Sequence, residues 1–371
     1  LHKHGAVVSH GIIVTFHVRF GQVLKMETIS GHTITRYEGE ELEALRREFK
    51  SSHQDTGWVK INPGNWTLPK HFDLVADKIY QFRFRKSDII INTCPKAGTT
   101  WVQEIIWNII NNPNLENPLA NSPHFSPDLE IDSFIASEEA HIESDFDKVK
   151  SHQGELQERE GTFLKSFDTF PNPRIIKTHI PLTLLPPDTL DCAKVVYVAR
   201  NPFDVCLSYY HFSRLLKYYN YSGTFEQFAQ RFIEGNLLNL PFWEHVYDAW
   251  KRRNHHNLHF IFYENLKQDP YKEISKLNTF LETGLTDEQL ENIAHFTSFT
   301  EMKKRDIMTF GVAETEEHMN MELKEREGGF LRKGVVADWK NYSNQETIGK
   351  MKTWIDNSMR NMEIPFIYEI N

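Results

Sequence analysis

D-I-I-I-N-T-C-P-K-A-G-T-T-W, residues 88–101, is the stretch that decides the fold. It opens with a continuous apolar run of strand length, which is typical of a strand buried on both faces of a parallel sheet. A loop of small residues follows, and from Trp101 to Ile110 apolar residues recur at helical spacing. The stretch therefore predicts a buried strand, a tight loop and a buried helix.

Three further apolar runs predict buried strands, at residues 174–178, 194–199 and 259–263. Each is followed by loop or helix signals. Strands that alternate with helices predict an α/β fold, with a central parallel sheet and helices on both faces. Upstream, residues 39–50 carry apolar residues on one helix face, which predicts a short helix in an N-terminal arm laid over the core.

The chain divides into an extension and one domain. Residues 1–25 are His-rich and weakly patterned and precede Met26, so we expect a non-functional extension followed by a single domain over residues 26–371. Within the domain, residues 111–173 are rich in Asp, Glu, Ser and Pro. They separate the first helix from the next strand by far more than the usual few residues, which indicates a partly helical excursion or lid.

Composition narrows the class of protein. The 371 residues are 40% apolar and carry a net charge of -9, which argues against wholesale binding of nucleic acid. The candidate apolar run at residues 6–16 is too short to span a bilayer. Three cysteines without a C-x-x-C pair support neither a disulfide framework nor a zinc site and favour the cytoplasm, although three N-x-S/T sequons leave secretion open.

The loop after the first strand has the features of an anion site. Backbone N–H groups at a helix N-terminus favour negative charge, and Lys96 adds a cation. Lysine precedes Gly98 by two residues, whereas the Walker A pattern places lysine directly after its last glycine. A helix N-cap with a solvated lysine is the alternative interpretation of this loop alone.

Lys177 and His179 come at the end of the second predicted strand, where the period of two places both on one face. Ligands of parallel sheets gather at that edge. A neighbouring lysine lowers the tendency of a histidine to be protonated and keeps it available as a base. A histidine with a purely structural role before a proline-rich loop is the alternative.

Arg200 follows the third strand, and Ser208 lies on the helix after it, so both can reach a phosphate. Late in the chain Arg332 and Lys333 precede Gly334, which lets the backbone approach an anion closely. A solvated basic pair is the alternative for these two cations. Two separated anion sites and a base differ from the pattern of an ATP site.

With these features the sequence resembles the cytosolic sulfotransferases, which transfer the sulfuryl group of 3′-phosphoadenosine 5′-phosphosulfate (PAPS) to a hydroxyl or amine of a small molecule. The resemblance covers about residues 58–369. It is carried, in the family's order, by these motifs: T-C-P-K-A-G-T-T-W from Thr93, I-I-K-T-H-I-P-L from Ile175, V-V-Y-V-A-R-N-P from Val195, S-Y-Y-H-F from Ser208, Y-E-N-L-K-Q-D-P from Tyr263, H-F-T-S-F-T-E-M from His295 and F-L-R-K-G-V-V-A-D-W-K from Phe330.

The resemblance implies that the loop after the first strand is a P-loop-like site for the 5′-phosphosulfate, with Trp101 stacked on the adenine. Four residues of the loop and helix would hold the phosphosulfate: Lys96, Gly98, Thr99 and Thr100. Five residues would hold the 3′-phosphate, which distinguishes this nucleotide from ATP: Arg200, Ser208, Arg332, Lys333 and Gly334. Three others match positions that contact the adenosine: Tyr263, Thr297 and Phe299.

The resemblance also implies the catalytic set. His179 would be the general base, Lys177 would stabilise charge on the transferring group, and Lys96 and Ser208 would complete the set. Phe212 falls where the family lines its acceptor pocket. No divalent metal is expected. The acceptor is a small molecule, which we leave open among phenols, alcohols, steroids, amines and retinoids.

The sequence departs from the family pattern in three places. Ala337 replaces the second glycine of R-K-G-x-x-G, so the backbone there is expected to lie less close to the nucleotide. Asn344, Gln345 and Gly349 replace residues of the family's dimer motif, which puts a homodimer in doubt. The long excursion resembles the enlarged acceptor side of some arthropod relatives, one of which dehydrates retinol through a sulfated intermediate. The sequence also leaves open an inactive nucleotide-binding relative and a nucleotide kinase.

Overall fold

The structure is a computed structural model that describes the following residues: 3–9 and 12–18, by their backbone alone, and 25–51, 57–117, 126–135, 162–305, 316, 318–360 and 362–370.

The described residues form ten strands: β1 Lys3–Ser9, β2 Ile12–Val18, β3 Lys25–Glu27, β4 Thr33–Arg36, β5 Trp58–Asn62, β6 Trp66–Pro69, β7 Ile89–Thr93, β8 Ile175–Thr178, β9 Lys194–Ala199 and β10 Leu258–Phe262. They also form fifteen α-helices: α1 Gly39–Glu48, α2 Phe72–Tyr80, α3 Thr99–Asn111, α4 Asp132–Ile135, α5 Thr162–Ser166, α6 Thr189–Cys192, α7 Pro202–Leu215, α8 Phe225–Ile233, α9 Phe242–Lys251, α10 Tyr263–Gln268, α11 Pro270–Leu281, α12 Asp287–Phe296, α13 Phe299–Lys304, α14 Met321–Glu327 and α15 Gln345–Met359. Short 3-10 helices span Phe167–Thr169, Leu182–Leu184 and Asp338–Asn341.

The central sheet is parallel, with the strand order β10-β9-β7-β8. Its side chains alternate between two apolar clusters. Ile89 and Ile91 pack with residues of α3, α11 and α12, whereas Ile90 packs with residues of α7, α8 and α9. Helices therefore cover both faces, and the predicted α/β fold is confirmed, with each strand within one residue of its predicted bounds.

The N-terminal arm contains more structure than the sequence predicted. The expected helix is present as α1. The arm also contains a four-stranded antiparallel sheet, β3-β4-β5-β6, of which two strands precede α1 along the chain and two follow it. Trp58, Val59, Trp66 and Leu68 are buried in it. Its strands are only three to five residues long, too short for a clear alternating pattern. Upstream, β1 and β2 pair as an antiparallel hairpin, and the expectation that residues 1–25 are dispensable stays a prediction.

Part of the excursion at residues 111–173 belongs to the core. Leu129 is fully buried, and its N–H donates to the carbonyl of Lys177 at 2.9 Å. The N–H of Lys177 donates in turn to the carbonyl of Pro127 at 2.9 Å. Residues 127–129 thus extend the parallel sheet beyond β8. Residues 118–125 and 136–161 lie outside the described residues, so the lid interpretation remains a prediction for them.

The segment that replaces the family's dimer motif forms the start of α15. Asn344 caps this helix, because its side chain accepts from the N–H of Thr347 at 2.8 Å and donates to Glu226 at 3.1 Å. The doubt about a homodimer stays a prediction. Within the described parts of the chain, no helix has the length and apolar character needed to cross a bilayer.

A buried ion pair joins the starts of the two central strands. Asp88 precedes β7 and Arg174 precedes β8, and both side chains are fully buried. The guanidinium Nε donates to Asp88 Oδ1 at 2.8 Å, and a second nitrogen contacts Oδ2. Asp88 Oδ2 also accepts from the N–H of Arg85 at 2.7 Å. The pair joins the starts of β7 and β8, and the predicted site residues Lys96 and His179 follow the other ends of these two strands.

Asp88→Ala is expected to lower the free energy of unfolding by about 3–5 kcal/mol, because it leaves the guanidinium of Arg174 buried without its anion. Urea denaturation followed by circular dichroism measures this loss. The matched control is Asp191→Ala, at an exposed position on α6, which should change stability by less than about 0.5 kcal/mol. Equal effects of the two substitutions would contradict the role given to the ion pair.

Candidate active site

The loop between β7 and α3 is shaped by two left-handed residues. Lys96 has φ +68° and Gly98 has φ +116°. A Cβ at Gly98 would lie 2.8 Å from the ring of Tyr263, so only glycine fits between this ring and the loop. Thr99 begins α3, and its hydroxyl lies 2.7 Å from that of Thr93. The loop leads directly into the helix N-terminus, the arrangement that binds anions.

The side chain of Lys96 lies between two aromatic rings. Its Nζ is 4.1 Å from the ring centroid of Phe212 and 3.9 Å from that of Phe330. Desolvation lowers the pKa of Lys96 well below its usual value, and the charges of Arg200, Lys177 and Arg332 lower it further. A bound anion would relieve this convergence of cations, which is the electrostatic signature of a phosphate site.

His179 follows β8 and contacts the end of β7. Its Nδ1 lies 2.8 Å from the carbonyl oxygen of Thr93. A carbonyl can only accept, so Nδ1 carries the hydrogen and Nε2 keeps a lone pair. Desolvation, followed by the charge of Lys177, lowers the pKa of His179 to about 3. The imidazole is therefore neutral at physiological pH, and Nε2 is its basic nitrogen.

Two carboxyl groups that the sequence analysis missed contact this pair. Lys177 Nζ lies 2.6 Å from Asp128 Oδ2. Glu130 accepts from the N–H of His179 at 2.6 Å and from the hydroxyl of Thr178 at 2.7 Å. The alternation of polar and apolar residues at positions 128–131 is the pattern of an edge strand and could have drawn attention to them.

Arg200 connects the loop after β7 to a second basic region, which consists of Arg332, Lys333 and Gly334. Its guanidinium lies over the ring of Tyr263, with the carbon 4.2 Å from the centroid. Its terminal nitrogens donate to the carbonyl of Lys96 at 3.4 Å and to that of Val335 at 3.2 Å. Its Nε is buried and has no hydrogen-bond partner among the described residues. Arg200 therefore joins residues 94–98 to the segment around Gly334.

The second basic region shares a pocket with Lys96. Ser208, Phe330 and Arg332 line this pocket together with Lys96 and Phe212. The structure thus brings residues from the loop after β7, from α7 and from the late R-K-G segment to one place.

The R-K-G segment is held by one carboxylate. Asp338 accepts from Arg332 at 2.7 Å and from Lys333 at 3.0 Å. Gly334 has φ +61°, and a Cβ there would lie 2.2 Å from the ring of Phe299. The glycine is therefore required by close packing against α13.

The residues predicted to contact adenosine lie along α3 and its neighbours. Trp101 meets Tyr263 edge to face, with ring centroids 5.4 Å apart, and its indole N–H is buried with no hydrogen-bond partner among the described residues. Thr297 is the C-cap residue of α12, which packs against α3, but its hydroxyl donates to the carbonyl of Ile293 at 2.8 Å. The structure brings Trp101, Tyr263, Phe299 and Gly334 close to the loop, and it places Thr297 at the end of a neighbouring helix.

Ala337 adopts a conformation that normally belongs to glycine. Its φ is +67°, and its N–H donates to Asp204 Oδ2 at 2.9 Å. The backbone at the position of the pattern's second glycine is thus left-handed, although a Cβ is present. A left-handed non-glycine residue costs about 1–2 kcal/mol.

No group of three or more metal-ligating side chains is found among the residues that the structure describes.

Comparisons with known proteins show the family of the chain. A family model described as "Sulfotransferase domain" matches residues 86–363. Sulfotransferase 1B1 of Mus musculus is 34% identical over 273 residues, which cover 73% of this chain and 82% of that protein. Sulfotransferase 1 family member D1 of Mus musculus is 31% identical over 324 residues, covering 87% and 95%. These matches confirm the resemblance inferred from the sequence motifs.

Among solved structures, retinol dehydratase in complex with retinol and PAP is similar, with a TM-score of 0.73 and 25% identity. The match covers 91% of this chain and 99% of that one. The similarity therefore extends beyond the region matched by the family model.

Ala337→Gly is expected to raise the free energy of unfolding by about 1 kcal/mol, because glycine adopts positive φ without a steric penalty. Thermal unfolding measures the change. Ala294→Gly, inside α12, serves as the control and should cost about 0.5–1 kcal/mol, the usual effect of glycine within a helix. A destabilised Ala337→Gly variant would show that the left-handed backbone carries little strain.

Proposed function

Because the chain belongs to the sulfotransferase family, we propose that it transfers the sulfuryl group of PAPS to a hydroxyl or amine of a small molecule. One observation carries the proposal. The carbonyl of Thr93 holds Nδ1 of His179, which leaves Nε2 as a base beside the loop that contains Lys96. The base and the anion loop therefore share one strand end.

The proposed reaction is an in-line displacement at sulfur. The acceptor oxygen forms a bond to sulfur while the bond between sulfur and the bridging phosphate oxygen breaks. His179 Nε2 takes the proton of the acceptor. Lys96 and the N–H groups at the start of α3 stabilise the charge that develops on the phosphate, and Lys177 stabilises the transferring group. Positioning and electrostatics supply the acceleration, as in phosphoryl transfer.

Selection of the nucleotide is assigned to the second basic region. Arg332 and Ser208 share a pocket with Lys96, and Arg200 bridges the two regions. A cluster of cations at a distance from the phosphosulfate loop suits a 3′-phosphate, which ATP lacks. This arrangement favours a sulfotransferase over the nucleotide kinase that the sequence left open.

Aromatic side chains support an apolar acceptor. From Phe330 beside Lys96, rings follow one another with centroids 5.1–5.9 Å apart, in this order: Phe330, Phe212, Tyr219, Tyr218 and Phe134. Phe134 lies in the segment next to β8 that carries Asp128 and Glu130. A row of rings between the anion loop and this segment suits a phenol, a steroid or a retinoid.

A second candidate activity is dehydration of an alcohol, for which the similarity to retinol dehydratase is the supporting observation. A conjugated alcohol would first be sulfated, and its sulfate ester would then lose hydrogen sulfate to form a further carbon–carbon double bond. One experiment distinguishes sulfation from dehydration. Incubation with radiolabelled donor and retinol, androsterone, phenols or catecholamines yields either a stable sulfate ester or an alkene with free sulfate, which mass spectrometry distinguishes.

We place the protein in the cytoplasm. Cys94, Cys192 and Cys206 are all free, and two of them are buried, which fits a reducing compartment.

Lys333→Ala is expected to weaken binding of 3′-phosphoadenosine 5′-phosphate by about 1.5–3 kcal/mol, the scale of a hydrogen bond to a charged group. Adenosine 5′-phosphate, which has no 3′-phosphate, should bind both proteins equally. Calorimetric titration measures the affinities, and Lys350→Ala on the exposed face of α15 is the matched control. Equal losses for both nucleotides would move the 3′-phosphate away from Lys333.

His179→Ala is expected to lower turnover by about 10²- to 10⁴-fold, the usual effect of losing a general base. Because the pKa of His179 is about 3, kcat/KM of the wild type should stay level from pH 8 to 5 and fall only at lower pH. This fall in kcat/KM at low pH should be absent from the His179→Ala variant.

His259→Ala, on the distant strand β10, controls for the loss of a half-buried imidazole. Calorimetric affinity for the desulfated nucleotide checks that each variant remains folded. Near wild-type turnover in a His179→Ala protein that still binds the nucleotide would remove His179 from the mechanism.

A further inference from the structure

The segment beside β8 carries two carboxyl groups to the reacting edge of the sheet. Asp128 pairs with Lys177 in a parallel bridge, so the register carries Glu130 alongside His179. Both carboxyl groups are enclosed: Glu130 is 1% exposed, and the side chain of Asp128 is 13% exposed. The backbone N–H of Glu130 also donates to Asp128 Oδ1 at 3.2 Å. An enclosed carboxyl pair that contacts two active-site residues needs an explanation beyond stability, since burial of carboxyl groups is costly.

We propose that Glu130 is a positioning residue for sulfuryl transfer, which holds His179 through its backbone while Asp128 holds Lys177. This inference rests on the proposed function, because it assigns His179 and Lys177 their roles in that reaction.

His179 is held at three points. Its N–H donates to Glu130 Oε1 at 2.6 Å, and its carbonyl oxygen lies 3.0 Å from Nε2 of His245. Its own Nδ1 donates to Thr93 at 2.8 Å. Glu130 also binds the hydroxyl of Thr178, so a single side chain fixes the last residue of β8 and the first residue after it. Loss of Glu130 would remove the contact at the N–H of His179 and leave only those at its carbonyl and at Nδ1.

The charges of the group balance. Desolvation and the adjacent charge of Asp128 raise the pKa of Glu130 well above its usual value. Desolvation alone would raise the pKa of Asp128, but Lys177 and His179 hold it below its usual value. These directions favour the protonated form of Glu130 and the charged form of Asp128, which lies 2.6 Å from Lys177 Nζ. A neutral group at this edge does not repel an anionic sulfuryl donor.

A glutamine at position 130 reproduces the protonated carboxyl. Its amide oxygen can accept from the N–H of His179, and its NH₂ would face the hydroxyl of Thr178, which can rotate to accept from it. Glu130→Gln should therefore keep turnover within about 3-fold, whereas Glu130→Ala should lower kcat at least about 10-fold, since small misplacements of a catalytic group are this costly. Affinity for 3′-phosphoadenosine 5′-phosphate should stay within about 3-fold in both variants.

Asp132 provides the matched control within the same segment. It is also buried, and its oxygens accept from the N–H groups of Phe163 at 3.1 Å and Leu164 at 2.9 Å, away from His179. Asp132→Ala should lower the melting temperature as Glu130→Ala does, yet leave kcat unchanged. If Glu130→Ala does not fold, Glu130→Met fills the same space without an acceptor and replaces it.

Crystal structures of the full chain provide a measurement that needs no turnover. The imidazole of His179 should move away from the Thr93 carbonyl in Glu130→Ala and stay in place in Glu130→Gln. An unmoved imidazole, or kcat losses shared by Asp132→Ala, would overturn the inference. Absence of sulfuryl transfer by the wild type with every acceptor would instead contradict the proposed function, and the crystal structures would still decide the role of Glu130.

Discussion

The hydrogen bond from His179 to the carbonyl of Thr93 joins the ends of two neighbouring parallel strands, β8 and β7. Thr93 also contacts Thr99, the first residue of α3, through its hydroxyl. One residue thus fixes both the orientation of the imidazole and the start of the helix that follows the anion loop. This arrangement is possible because parallel strands place their carboxyl ends at one edge, where ligands of α/β sheets bind.

Electrostatics at this edge are arranged around an anion. Lys96, Arg200 and Arg332 converge: Lys96 lies between two aromatic rings, Arg200 donates to two backbone carbonyls, and Arg332 is paired with Asp338. Burying these cations together is unfavourable without an anion, as the depressed pKa of Lys96 indicates. In the proposed function, these cations would bind a doubly phosphorylated nucleotide.

The sequence predicted the central sheet well, because its strands are continuous apolar runs that are covered on both faces. The sheet of β3 to β6 escaped prediction since its short strands bury residues only after they pair. Lys96, Lys177 and His179 were found because motifs place them at strand ends. Asp128 and Glu130 were missed, because the alternation at positions 128–131 indicates a strand but does not specify its pairing with β8, on which their contacts depend. The left-handed turn at Ala337 was likewise invisible in an alanine.

The most direct measurement is a crystal structure of the protein with 3′-phosphoadenosine 5′-phosphate. The 5′-phosphate should contact Lys96 and the N–H groups at the start of α3, with the adenine against Trp101. The 3′-phosphate should contact Arg200, Ser208 and the segment at residues 332–334. A nucleotide whose 5′-phosphate lies away from the strand end that carries Thr93 and His179 would contradict the proposed site and its chemistry.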